Sequence, residues 1–447
     1  MAMSQIQQDL DSKVTKLRQH IDQLSSTIET QRRLLIDLEE QQSEARQTLN
    51  AFLDPMARLP FEIQSQIFVG MISNSYDPIP DLEKVPLVLL GVCKLWRAVA
   101  LATPKLWAKI QMEDLPRGPD YSELCRMWLE RAGSLPLSLT VHGSLWLEEP
   151  VQNLMKQYAR RLDALTLYLT TDRGVDTFTR QMRLGGFHSL KTATVTSECE
   201  TYFRLVNDWV QLLRSSPLLV KYSLENIMYA VDEEHLLANP LPREPLVHSS
   251  LQELRLGDTQ GHGLWRVRGS SARILNYLTL PALTTLHLSC YDITKDEFTS
   301  FLARSSAPLS SLSMVVPLLG WLPGVLPEYF QYTPSLTNLQ LVLSHRSGYL
   351  PLIVFHEAMR TPQFLPGLHS LTYFMVSGNN LDYQALIFGL TSRRDSALKS
   401  FHLNLASDDP NHDYSVDLPN EECMAALRGL VSEGMEIHVG PLTKNML

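Results

Sequence analysis

Thirteen histidines, five cysteines and 48 acidic side chains are the groups in this 447-residue chain that could ligate a metal or carry acid–base or nucleophilic chemistry. Their spacing supports none of these. No two histidines stand four apart with a carboxylate between them, so the helical zinc-hydrolase pattern is missing. Cys93, Cys125, Cys199, Cys290 and Cys423 are separated by 32, 74, 91 and 133 residues, an odd, scattered set that makes neither a disulfide framework nor a zinc site. Asp408-Asp409-Pro410-Asn411-His412-Asp413 clusters oxygen ligands but lacks the turn glycine and closing glutamate of a calcium loop, and reads as a solvated acidic loop. No phosphate-cradling G-x4-G-K-[ST], no G-x-G-x2-G and no nucleophile-bearing G-x-S-x-G is present. Gly261-His262-Gly263 with Trp265-Arg266-Val267-Arg268 reads as an insertion with local positive charge. The sequence therefore predicts no catalytic residue, no metal and no cofactor: a binding protein, not an enzyme.

Composition narrows the binding partners. With 44% hydrophobic and 19% charged residues the chain is a core-forming one. A net charge of −9 supplies no overall footprint for nucleic acid. The N-terminal MAMSQIQQDLDSKVTK has no apolar signal region, and the longest uncharged stretch, Ser305 to Pro327, is broken by four prolines that a bilayer would not tolerate. Unpaired thiols then suggest a reduced, cytoplasmic and/or nuclear protein with no membrane partner.

Residues 3–52 carry a heptad pattern without Pro or Gly: Val14, Ile21, Ile28, Leu35, Gln42 and Leu49 at a, and Met3, Leu10, Leu17, Leu24, Gln31, Leu38, Ala45 and Phe52 at d. Such a run predicts one long helix, and β-branched a residues with leucine at d favour a parallel two-stranded coil, hence a homodimer through residues 3–52. The same stripe could instead fold back on its own protein.

From Arg58 the text changes to RLPFEIQSQIFVGM, a variable loop, and LVLLGVCKLWRAVALATPKLWAKI. The first part reads as a helix opened at Leu59-Pro60 with Ile63, Ile67, Phe68 and Met71 on one face. The second places Leu89, Val92, Cys93 and Trp96 together and ends near Pro104, followed by Leu106-Trp107. Fifty residues this apolar cannot close a large core alone, so an uncovered face seeking a partner is expected. In order and spacing the segment resembles an F-box of the kind found in mushroom-forming fungi, where a heptad helix precedes the motif and leucine-rich repeats follow. The resemblance implies a three-helix module that docks on the adaptor subunit of an SCF-type cullin–RING ubiquitin ligase. It assigns the contacts to Leu59, Pro60, Ile63, Ile67, Leu89, Val92, Cys93 and Trp96, with Trp107 in the core. Gln64, where the family often has an apolar residue, and the long loop from Ser73 to Pro86 depart from the pattern.

Beyond a polar bridge, the phrase apolar-x2-apolar-x-apolar recurs from Leu162, Leu190, Leu219, Leu251, Leu283, Leu309, Leu336, Leu368 and Leu398, a mean period of 29.5 residues. Weaker copies at Leu139-x-Val141 and Ile437-x-Val439 bracket the set, and helix-like stretches (Tyr202–Arg214, Ile293–Arg304, Leu381–Arg393, Glu421–Val431) fall between. One strand plus one helix per repeat is the signature of a leucine-rich-repeat solenoid with a parallel sheet; a closed α/β barrel is the competing layout. The Asn or Cys that follows the strand in regular repeats is absent from all nine copies. Alternation turns Thr166, Thr194, Ser223, Arg255, His287, Ser313, Gln340, Thr372 and His402 to the opposite face, with neighbours such as Asn338. That face is either merely solvated or a recognition surface for a protein target, for which Arg255, His287, Asn338, Gln340 and His402 are the candidates.

The expected organisation is α/β overall: a coiled-coil helix (1–53), an F-box-like domain (54–112), a linker (113–134), the solenoid (135–440) and a tail (441–447). The function it implies is substrate recognition for a ubiquitin ligase, or else a scaffold that binds the adaptor or itself without ubiquitylation.

Overall fold

The computed structural model describes residues 2–73, 85–112, 121–142, 149–169, 186–197, 202–203, 206–225, 228–229, 244–257, 271–289, 294–316, 325–343, 350–376, 381–406 and 418–447. The acidic loop at 408–413 and the insertion at 261–268 lie outside them. The chain divides into two compact units, Met1–Trp107 and Ala108–Leu447.

The first unit is all-helical. Helix α1 (Ala2–Leu53) runs unbroken until Pro55, where Asp54 caps a short 3-10 turn, Pro55–Arg58. Helices α2 (Phe61–Ser73), α3 (Val85–Val92) and α4 (Lys94–Leu101) follow, then a second 3-10 turn, Pro104–Trp107. Their small core is Phe68, Leu89, Val99, Ala100, Leu106 and Trp107, all buried. The Trp107 indole N–H donates to Ala100 O at 2.8 Å, so its polar edge is satisfied inside. The described apolar a and d residues of α1, from Leu17 to Phe52, are exposed.

The second unit is a leucine-rich-repeat-like solenoid of twelve parallel strands: β1 (Lys109–Met112), β2 (Leu137–His142), β3 (Leu162–Leu169), β4 (Thr192–Ser197), β5 (Lys221–Glu225), β6 (Glu253–Gly257), β7 (Thr285–Ser289), β8 (Ser311–Val316), β9 (Asn338–Leu343), β10 (Ser370–Val376), β11 (Ser400–Ala406) and β12 (Glu436–Gly440). They are ordered in space as in sequence, with β1 and β12 at opposite edges, so the sheet is open and the barrel layout is excluded. All nine phrases and both bracketing copies are strands. Strand β1 was assigned to the preceding domain: the helical unit ends at Trp107, not at residue 112, because Lys109–Met112 pairs with β2. Likewise the stretch expected as linker holds a helix, α5 (Tyr121–Arg131). Further helices α6 (Glu149–Tyr158), α7 (Val206–Ser215), α8 (Lys295–Ser305), α9 (Val325–Phe330), α10 (Leu350–Met359), α11 (Tyr383–Thr391) and α12 (Glu421–Ser432) connect the strands. Tyr202, expected at a helix start, lies instead in a two-residue strand with Phe203.

Two rows of apolar side chains run through the sheet, one from Ile110 through Leu139, Leu165 and onward to Ile437, the other from Met112 to Val439. Nearly every member is buried, which is the shared core a single repeat could not make. Without an asparagine ladder, the turns are tied by backbone bonds such as Lys221 N to Lys191 O, Ser310 N to Thr284 O and Glu436 N to Lys399 O. Arginines add a second tie. Arg304 donates to the carbonyls of Leu275 and Leu278, and buried Arg393 to those of Met359, Thr361 and Phe364, each in the preceding repeat. Both stand five residues before a strand-phrase leucine, a recurrence readable in the sequence but easily passed over.

Candidate protein-docking site

In the helical unit, α2 splits its apolar residues between two stripes. Phe68 points into the core together with Gln64, whereas Ile63 and Ile67, four apart, are each 42% exposed, with Met71 continuing the line. Helix α3 does the same. Leu89 is 1% exposed and belongs to the core; Val88 and Val92, again four apart, face outward, Val92 at 51%. Leu89 is therefore corrected from contact residue to packing residue: an eight-residue helix apolar on every side does not show from its sequence which face turns inward.

The remaining predicted contacts fall into two groups. Pro60 is exposed and Leu59 half-buried, at the entry to α2, where Pro60 O accepts from the Ile63 and Gln64 amides. Gln64 is the residue that holds this entry in place. Its side-chain amide donates to Met56 O at 2.8 Å and Leu59 O at 2.7 Å, so a polar residue at this position fixes the Leu59-Pro60 corner from beneath. Cys93 and Trp96 are half-buried and work within the fold. The Cys93 sulfur caps α4 by accepting from Trp96 N at 3.4 Å. The Trp96 ring leans on Phe68, centroids 5.1 Å apart, and its indole N–H donates to Asp54 Oδ2 at 3.0 Å. Asp54, which sequence reasoning missed, thus caps one turn and anchors a tryptophan 42 residues away.

Val92, Cys93 and Trp96 also line a groove of about 1050 Å³ with Phe52 and Leu53 from the end of α1 and Leu95 from α4. Phe52, Leu53 and Leu95 were not singled out as contacts. Phe52 is a heptad residue in the sequence, and its place at the groove follows from the turn at Asp54-Pro55, after which the chain returns Leu95 and Trp96 to the same groove. Exposed Lys94 and Arg97 lie at its rim, with Arg97 Nε donating to Leu90 O at the end of α3. The site is an apolar surface edged by cations.

No family model matches the chain, and no curated protein matches it. Among solved structures, the yeast complex of Rad7 and Elc1 is a neighbour: the superposition covers 84% of this chain and 99% of that one, with a TM-score of 0.32 and 11% identity. At that distance no residue's role transfers.

In the solenoid, the residues between the apolar rows stand in register from Gln111 and Thr140 through Thr166, Thr194, Ser223, Arg255, His287, Ser313, Gln340, Thr372 and His402 to His438. Four of the five target-binding candidates therefore share one row, and Asn338 sits in the next. They are not one cluster: only Arg255 and His287 are on adjacent strands, and β6 to β11 spans about 24 Å at ~4.8 Å per strand. On this face Glu253 is held between Lys221 at 2.9 Å and Arg255 at 2.6 Å. Burial pushes its carboxyl upward, but the hydrogen bonds from those two cations outweigh it and hold it below the ordinary carboxylate range. Beside it, burial and then the Arg255 charge lower His287, against the pull of Glu253, so its imidazole is neutral at physiological pH. Among the described residues no group of three His, Cys, Asp or Glu is placed to hold a metal, and no helix is long and apolar enough to cross a membrane.

Proposed function

We propose that this chain is the substrate-recognition subunit of an SCF-type cullin–RING ubiquitin ligase, docking on the adaptor, and through it the cullin, with its helical unit and holding a target protein on its sheet. The observation that carries the reading is that α2 and α3 each send one residue, Phe68 and Leu89, into the core of the unit and leave an apolar pair exposed, Ile63 with Ile67 and Val88 with Val92. Fully burying such a side chain is worth about 1.5–3 kcal/mol, and at their partial exposure a partner recovers roughly half of that from each. The groove with Lys94 and Arg97 at its rim suits an apolar helix with acidic flanks. The register row on the sheet, with half-buried Arg255, His287, Gln340 and His402, suits a polypeptide laid across several strands. In this reading the chain contributes position and no bond chemistry: tethering raises the target's effective concentration at the ligase.

The test is capture of the purified adaptor by the full chain and by an Ile63→Asp/Ile67→Asp variant. Both residues lie on the exposed side of α2, so the variant is expected to fold, with circular dichroism as the check, and the reading expects capture to fall at least tenfold. Equal capture contradicts the docking helix. Adaptor capture without cullin in the same complex selects the non-ligase scaffold instead.

A further inference from the structure

We infer that α1 pairs with α1 of a second copy of this chain as a parallel, in-register two-stranded coiled coil. The inference is independent of the docking proposal. Its starting point is that the large apolar a and d residues between Leu17 and Phe52 are each 49–73% exposed. A helix with thirty-six residues of apolar seam in water lacks packing along that length, whereas helices in proteins draw most of their stability from a buried face. The stripe is also large enough. Thirty-six residues at ~1.5 Å rise give about 54 Å of seam, and at a helix width of about 10 Å the two copies cover roughly 1,100 Å², near the lower bound for a stable interface before the heptads preceding Leu17 are added.

The two polar core positions between Leu17 and Phe52 point to a second copy as the occupant. Gln31 at d and Gln42 at a are eleven residues apart, which is not a multiple of seven. In register, each side-chain amide meets its own counterpart. Sliding one helix by a heptad sets Gln31 against Leu24 or Leu38 and Gln42 against Leu35 or Leu49, burying amides without partners. Polar residues at core positions fix coiled-coil register in this way. An unrelated helix would have to offer polar groups at the same two layers.

Orientation follows from what each pairing covers. An antiparallel pair also matches glutamines, Gln31 against Gln42, and brings Arg32 opposite Glu39 twice. It leaves positions 3, 10, 14 and 17 beyond the overlap, however, forfeiting four apolar positions for ion pairs that at an exposed surface are worth little. The parallel pair covers those positions at the cost of facing Lys13 with Arg18, a similarly weak term. β-Branched residues at a and leucine at d favour the same choice.

The decisive experiment uses the full chain. Its solution mass is expected to be twice 50.7 kDa at micromolar concentration. Under mild oxidation, Gln31→Cys alone and Gln42→Cys alone are each expected to give a disulfide-linked dimer that the unsubstituted chain does not. If only the Gln31→Cys/Gln42→Cys double variant cross-links, the helices are antiparallel and the inference fails; a monomeric chain overturns it outright. A Leu24→Glu/Ile28→Glu variant, altered only at exposed positions, is expected to halve the mass while leaving the thermal transition of the sheet unchanged.

Discussion

His356 lies on α10 with its Nε2 2.8 Å from the Tyr373 hydroxyl, inside the solenoid. Burial pushes the imidazole down to about 4, against a weak opposing pull from Asp382. In the unfolded chain the ring protonates near 6.5. Between pH 6.5 and 4 the unfolded state therefore binds more protons, so stability falls as pH drops through that window and is unaffected above it. The full effect is about 3 kcal/mol. Urea unfolding at pH 7 and pH 4.5 measures it, with His356→Gln as the comparison: Gln keeps a hydrogen bond to Tyr373 but does not titrate, so its stability loss over the same interval is expected to be smaller by about 2 kcal/mol. Identical slopes would mean that burial does not set this proton.

At the scale of an element, α2 is two half-helices sharing a backbone. Phe68→Ala empties a fully buried site and is expected to cost about 3–5 kcal/mol, while Ile67→Ala, one position earlier and exposed, is expected to stay within about 0.5 kcal/mol. Hydrogen exchange of the α2 and α4 amides reads both without interference from the sheet. How much of this was legible depended on element length. The 52-residue α1 and the strand phrases repeat their pattern often enough for both type and face to be read. Strand β1 escaped because Lys-Ile-Gln-Met offers two apolar residues and no leading leucine. Leu89 was placed on the wrong face because Val-Pro-Leu-Val-Leu-Leu-Gly-Val has no polar side to point outward. Asp54 and Gln64 were unreadable as anchors, since their partners, Trp96 and the carbonyls of Met56 and Leu59, are set by how the helices turn.

Across the whole molecule, an open parallel sheet has two edges that could pair with other chains. The β12 edge is closed by the residues after Gly440. Asn445 accepts from Val439 N at 3.0 Å and donates to Ile437 O at 3.1 Å, and Met446 N donates to Val439 O at 2.7 Å. Gly440 makes the reversal at φ 138°, where a Cβ would meet Lys444 O at 2.6 Å. Removing residues 441–447 is expected to convert the chain into higher-order species in light scattering, and Asn445→Ala to destabilise the last repeat by about 2 kcal/mol. A truncated chain with unchanged mass and stability would show that this edge needs no cover.

The central claim, that a helical surface near the N-terminus meets an adaptor while the sheet stays free for a target, is read most directly by hydrogen exchange of the full chain with and without purified adaptor. The account predicts slowed exchange at 59–71 and 86–97 on adaptor addition, with the strands from β3 to β11 unchanged. Protection of those strands, with 59–97 left as it was, would contradict it.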